Sequence, residues 1–188
     1  MHLVDLWLPI VVSAVFVFVV SSIIHMFLPI HKGDYRKLPA EDKVMNELRA
    51  QGVTPGVYMF PKTDSMKELK SPEYLEKFQK GPVAVLTVIP SGPAPGMGKN
   101  LVQWFFFCLL ISAIAAYVAG KLIPAGADYH MVFRWTGTIA ILGYSASSLS
   151  ESIWMGRPWK ITMKHVCDGI VYGLVTAGSF GWLWPKAM

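Results

Sequence analysis

Four long apolar stretches, at about Leu6–Leu28, Leu101–Gly120, Met131–Leu149 and His165–Trp184, punctuate this chain of 188 residues, each bracketed by charged or Pro/Gly-rich segments. A helix rises about 1.5 Å per residue, so roughly 20 residues cross a hydrocarbon core of about 30 Å, a length within reach of all four. Runs such as VVSAVFVFVVSSII and WFFFCLLISAIAAYVAG are apolar on every side, whereas the strands of a membrane barrel alternate. In lipid each backbone amide has to be satisfied within its own segment, so these runs are read as helices. A hydrophobic fraction of 53%, a charged fraction of 15% and a mean hydropathy of +0.42 agree. The expected fold class is an all-α integral membrane protein: four transmembrane helices with a small cytoplasmic loop domain between helices 1 and 2. Residues 1–30 would hold the first helix, 31–100 the loop domain, and 101–188 helices 2–4.

The first stretch has no basic residue ahead of it and no small-x-small cleavage pattern after it, and it ends in the basic flank HMFLPIHKGDYRK. It reads as a retained anchor rather than a secretion signal. Lys and Arg placement sets the expected sidedness. Fourteen of them fall between His31 and Asn100 or in the connection 151–164, against three (Lys121, Arg134, Lys186) on the other side. Residues 31–100 and 151–164 are therefore expected in the cytoplasm and both termini outside, in a membrane of the bacterial inner-membrane type. Lys32, Arg36, Lys37 and Lys99 lie close to span ends, where anionic lipid headgroups attract cations. That attraction accounts for the net charge of +5 without a nucleic-acid partner.

The loop domain divides into recognisable pieces. KLPAEDKVMNELRAQG has acids in its first turn, apolar Val44, Met45 and Leu48 at helical spacing, and Gly52 as a stop. SPEYLEKFQKG offers Ser71 as N-cap, Pro72 at the first helical position and Gly81 as terminator. Val83–Ile89 is β-branched and predicted to be extended, with an open edge unless Gly56–Phe60 pairs with it. The glycine-rich PSGPAPGMGKN is not a phosphate loop: Pro93 stands where its first glycine belongs, and Asn100 replaces the magnesium-binding hydroxyl. No nucleotide is expected. Free amides beside Lys99 would suit a lipid phosphate instead.

Small residues recur every four positions in the last stretch (Gly169, Gly173, Ala177, Gly181) and in the second (Cys108, Ser112, Ala116, Gly120). Such ridges let helix backbones approach closely, which drives association where lipid supplies no hydrophobic force. They suit packing within the chain, a further subunit or a homo-oligomer. Polar residues inside spans are the other informative class, because charge at mid-bilayer costs about 2.5–3.5 kcal/mol. His25, Glu151, His165 and Asp168 are all expected at the cytoplasmic boundary, where they could meet. The same residues also fit an interfacial role, with Asp168 one turn from Lys164 and near a helix N-terminus. The run Tyr144–Ser152 is rich in hydroxyls that can bond back to their own helix or to a neighbour.

No HExxH, CxxC or nucleophile constellation is present, and Cys108 and Cys167 read as small apolar residues. No catalytic residue and no metal site is assigned, and no cofactor is called for. The reading that follows is a non-catalytic accessory or scaffold subunit of a membrane complex, partnered by lipids and other membrane subunits. Two alternatives stand beside it: a small solute or proton transporter using Glu151, Asp168 and His165, and a haem- or metal-binding redox protein through His25 and His165.

Overall fold

The computed structural model describes residues 1–92 and 97–187. Its main elements are α1 (Trp7–Ser22), α2 (Glu41–Ala50), β1 (Gly56–Phe60), α3 (Pro72–Lys80), β2 (Ala84–Val88), α4 (Gly98–Leu122), α5 (Tyr129–Met155) and α6 (Trp159–Leu183). They form two compact units, one of Met1–Tyr35 with Gly96–Met188 and one of Arg36–Pro95. Residues 93–96, within the glycine-rich run considered for phosphate, lie outside the described residues.

The first unit is a helix bundle. Three helical stretches, Leu3–Phe27, Gly98–Leu122 and Trp159–Leu183, are long and apolar enough to cross a membrane. The fourth helix, α5, is 27 residues long but is not among them; Arg134 and its Ser, Thr and Gly residues dilute its apolar length. The expected connection 151–164 shrinks to Gly156, Arg157 and Pro158. Gly156 takes the left-handed conformation (φ 69°) that closes α5, and Pro158 precedes the first turn of α6. Glu151, Lys160 and Lys164 therefore sit on helix ends rather than in a loop.

The small-residue ridge of α6 is occupied by α5. A Cβ added at Gly169 would meet the Tyr144 carbonyl carbon at 2.9 Å, one at Gly173 the Ile141 amide at 2.7 Å, and one at Gly137 the Ala177 Cβ at 2.9 Å. Gly181 faces the Tyr129 ring. The pairing 145 with 169, 141 with 173 and 137 with 177 runs in opposite senses, so the two helices are antiparallel and touch backbone to backbone. On α4, Gly120 lies against Leu6, Ser112 Oγ bonds to Ser13 Oγ at 3.0 Å, and Cys108 and Ala116 are buried. Hydroxyls of the serine run are used at this seam: Ser145 Oγ donates to the Val166 carbonyl (3.2 Å) and Ser152 pairs with Thr162 (2.6 Å).

In the second unit β1 and β2 pair antiparallel, Gly56 opposite Val88 and Phe60 opposite Ala84, which gives the extended segment its partner. The Ser71 hydroxyl accepts from the Tyr74 amide at 3.2 Å and opens α3, with Pro72 at the first helical position.

Replacing Gly173 by Leu is expected to lower bundle stability by about 1–3 kcal/mol or more, because a backbone atom cannot move aside. Gly98→Ala, with nothing within 4 Å of the added methyl, should leave stability unchanged. Thermal denaturation of both variants in one detergent checks the contrast.

Candidate functional site

Pro29 determines where the polar cluster forms. A proline restricts the residue before it to extended backbone, and Leu28 adopts φ −88°, ψ 137°. The helical stretch that contains α1 therefore stops, and its last turn, Ile23–Phe27, widens to a π-helix that carries His25. A single 3-10 turn, Pro29–His31, then folds the chain back. The His31 ring comes to lie 4.5 Å, centroid to centroid, from that of His25.

Helix α6 supplies the other wall. Its second to fourth turns carry Lys164, His165, Asp168 and Tyr172. Asp168 Oδ2 stands 3.0 Å from His31 Nε2, 3.8 Å from His165 Nδ1 and 4.0 Å from His25 Nε2. Three imidazoles thus converge on one carboxylate oxygen, and the Asp168 side chain is only 9% exposed. The His31 and His165 rings stack at 5.3 Å, and the Tyr172 hydroxyl lies 3.2 Å from His25 Nε2. His25, His31 and Asp168 each offer a donor atom within 4.8 Å of the others, as do His31, Asp34 and His165.

Asp34 fixes the orientation of His31. Its Oδ2 is 2.7 Å from His31 Nδ1, and its Oδ1 accepts from the Lys164 ammonium, which also bonds the Ile30 carbonyl at 2.7 Å. The hydrogen bond from Lys164 holds the Asp34 carboxyl below its ordinary range. The ion pair is thus complete at neutral pH and is lost only as pH falls through that lowered value. Above the rings lies a cavity of about 240 Å³ lined by His25, His31, Asp34, Tyr35, Arg157, Ile161 and His165.

Of the four residues expected to meet, the structure brings His25, His165 and Asp168 together. Glu151 stands apart from them: its carboxylate is spent on Arg157 at 2.6 Å. Lys164, one turn from Asp168 in sequence, turns instead to Asp34. His31 and Asp34 are the members that sequence reasoning misses, because they follow a proline in a basic flank that reads as loop. Their i, i+3 spacing directly after a span end is the signal that marks them. Among the expected headgroup cations, Lys32 follows the His31 turn, Lys37 pairs with Glu41 at 3.7 Å, and Arg36 and Lys99 are exposed. Comparison with protein-family models, with curated proteins and with solved structures finds no match to this chain.

Lys164→Met should release the segment Pro29–Tyr35. Tryptic cleavage after Lys32 in the detergent-solubilised protein, followed by mass spectrometry, is expected to quicken several-fold, while cleavage after Lys80 stays unchanged.

Proposed function

We propose that this chain is a four-span membrane protein serving as a non-catalytic accessory subunit of a larger membrane assembly, with the unit Arg36–Pro95 as its partner-facing surface. One observation carries the reading: no described residue between Arg36 and Gly92 is buried. Met66 is 81% exposed, Val57 70% and Ile89 69%, and Phe78 of α3 is exposed as well. A two-stranded sheet is marginal by itself, and a small unit that leaves such side chains in water gains little from folding alone. Exposed apolar side chains of this size, when they gather on one surface, are what protein or membrane contacts cover. The small-residue ridge of α6 is already taken by α5, so that ridge is not the surface a partner would use.

In this reading α5 is the fourth span. Its support is the antiparallel contact with α6 from residue 145 down to 129, since a helix that pairs along the length of a spanning neighbour crosses with it. The unit Arg36–Pro95 faces the cytoplasm of a bacterial-type inner membrane, with the start of α1 and the end of α6 outside. The asymmetry of Lys and Arg supports that sidedness.

A photo-crosslinking residue at position 78 or 59, activated in native membranes, is expected to trap one discrete companion that also co-purifies in stoichiometric amount in mild detergent. Phe78→Glu with Ile89→Glu should abolish the companion while leaving the bundle's melting transition unchanged. A monomer without a stoichiometric companion, or one whose companion survives both substitutions, defeats the reading.

A further inference from the structure

We propose that His25, His31 and Asp168, completed by His165, bind a single divalent transition-metal ion of the zinc class. The site is independent of the accessory-subunit reading: it stands in the other unit and involves none of the loop surface.

Charge pairing at this end of the bundle sets Asp168 apart from the other carboxylates. Asp34 is matched by Lys164 and Glu151 by Arg157. Asp168, with its side chain nine-tenths buried, has no Lys or Arg within ion-pair distance among the described residues; the groups within that distance are the three imidazoles. A buried carboxylate without a counter-charge is costly, and such groups are paired or coordinate metals.

The unsatisfied atoms lead to the same place. His31 Nε2 and Asp168 Oδ2 are both buried, and neither has a hydrogen-bond partner among the described residues. They face each other at 3.0 Å without the alignment a hydrogen bond needs. Because Asp34 Oδ2 takes the Nδ1–H of His31, Nε2 is left with a lone pair beside a carboxylate oxygen. Two acceptors at that distance repel unless a cation lies between them. A carboxylate that orients a histidine through its other ring nitrogen is the usual support of a metal-bound imidazole.

Distance and donor type fit the zinc class. Bonds of about 2.0–2.1 Å in a tetrahedron place neighbouring donors about 3.3 Å apart. Asp168 Oδ2 stands 3.0 Å from His31 Nε2 and 4.0 Å from His25 Nε2, and these three donors lie within 4.8 Å of one another; side-chain rotation closes that triad and brings in His165, whose Nδ1 is 3.8 Å from the same oxygen. Imidazole donors with one carboxylate select zinc, cobalt, nickel, copper or iron over magnesium and calcium, which prefer all-oxygen sites. The second triad, His31, Asp34 and His165, is the weaker candidate, since Lys164 already occupies Asp34. The Tyr172 hydroxyl beside His25 Nε2 is the contact a metal would displace, and the cavity above the rings gives the ion its route in.

The rival arrangement is an imidazolium at His31 bridging Asp34 and Asp168 with no metal. It would satisfy His31 but give His25 no part at Asp168, whereas one divalent ion takes His25, His31 and Asp168 together as ligands.

Tag-free, full-length protein in detergent, stripped with chelator and titrated with Co²⁺ alone, tests the proposal. One cobalt per chain with the intense visible bands of low-coordinate cobalt is expected. Asp168→Asn and His31→Gln should each weaken binding at least tenfold. Asp34→Asn should weaken it by about 10- to 100-fold while keeping the stoichiometry. Asp168→Asn keeps the side-chain shape and removes an unmatched charge, so its cobalt-free melting temperature should equal or exceed that of the parent, and it carries the test where His31→Gln does not fold. Equal cobalt uptake by the parent and Asp168→Asn, as exposed His2 and His130 would give, overturns the proposal. So does a folded parent that takes up no cobalt and loses stability equally on Asp168→Asn and Asp34→Asn, the outcome an imidazolium bridge produces.

Discussion

Backbone contact between α5 and α6 governs the arrangement of the bundle. In lipid, helices gain little from hiding apolar side chains from one another, so attraction comes from close approach and short-range packing. Glycine at 169 and 173 lets the two helices meet where any larger side chain would strike backbone, and Gly137 makes room for the methyl of Ala177. The three-residue connection Gly156–Pro158 fixes their register, and the hydroxyls of Ser145 and Ser152 reinforce it. With α6 held in that rotation, His165, Asp168 and Tyr172 face the end of α1.

Much of this arrangement is legible in the residues themselves. The apolar runs mark where long helices lie, Ser71-Pro72 and Gly81 mark the ends of α3, and the β-branched segment after Gly81 finds the partner named for it. The helix runs and the ends of α3 are local, decided by a few neighbours along the chain, and the strand pairing needs only the one other extended segment of its unit. The apolar period says less about where a helix ends when its polar end continues past the hydrocarbon. That is why α6 begins at Trp159 rather than His165, and why Lys160 and Lys164 belong to a helix.

The polar cluster was legible only in part, for a physical reason. His25, His165 and Asp168 announce themselves as polar residues in apolar surroundings. Glu151 makes the same announcement, and depth alone cannot say that Arg157, six residues on, will take its carboxylate. His31 and Asp34 carry no such mark, because they follow a proline in a basic flank and look solvated. Only the reversal at Pro29 returns them to the helix they have just left, and the Lys164 contact spans 130 positions of sequence.

That reversal also shapes how the two parts of the chain are joined. The strand of polypeptide leaving the bundle is clamped at Ile30 and Asp34 by one lysine, and the loop unit starts at Arg36. Tension along the chain beyond Tyr35 would therefore load the Lys164 contacts and, through Asp34, the imidazole of His31 before it reached α1.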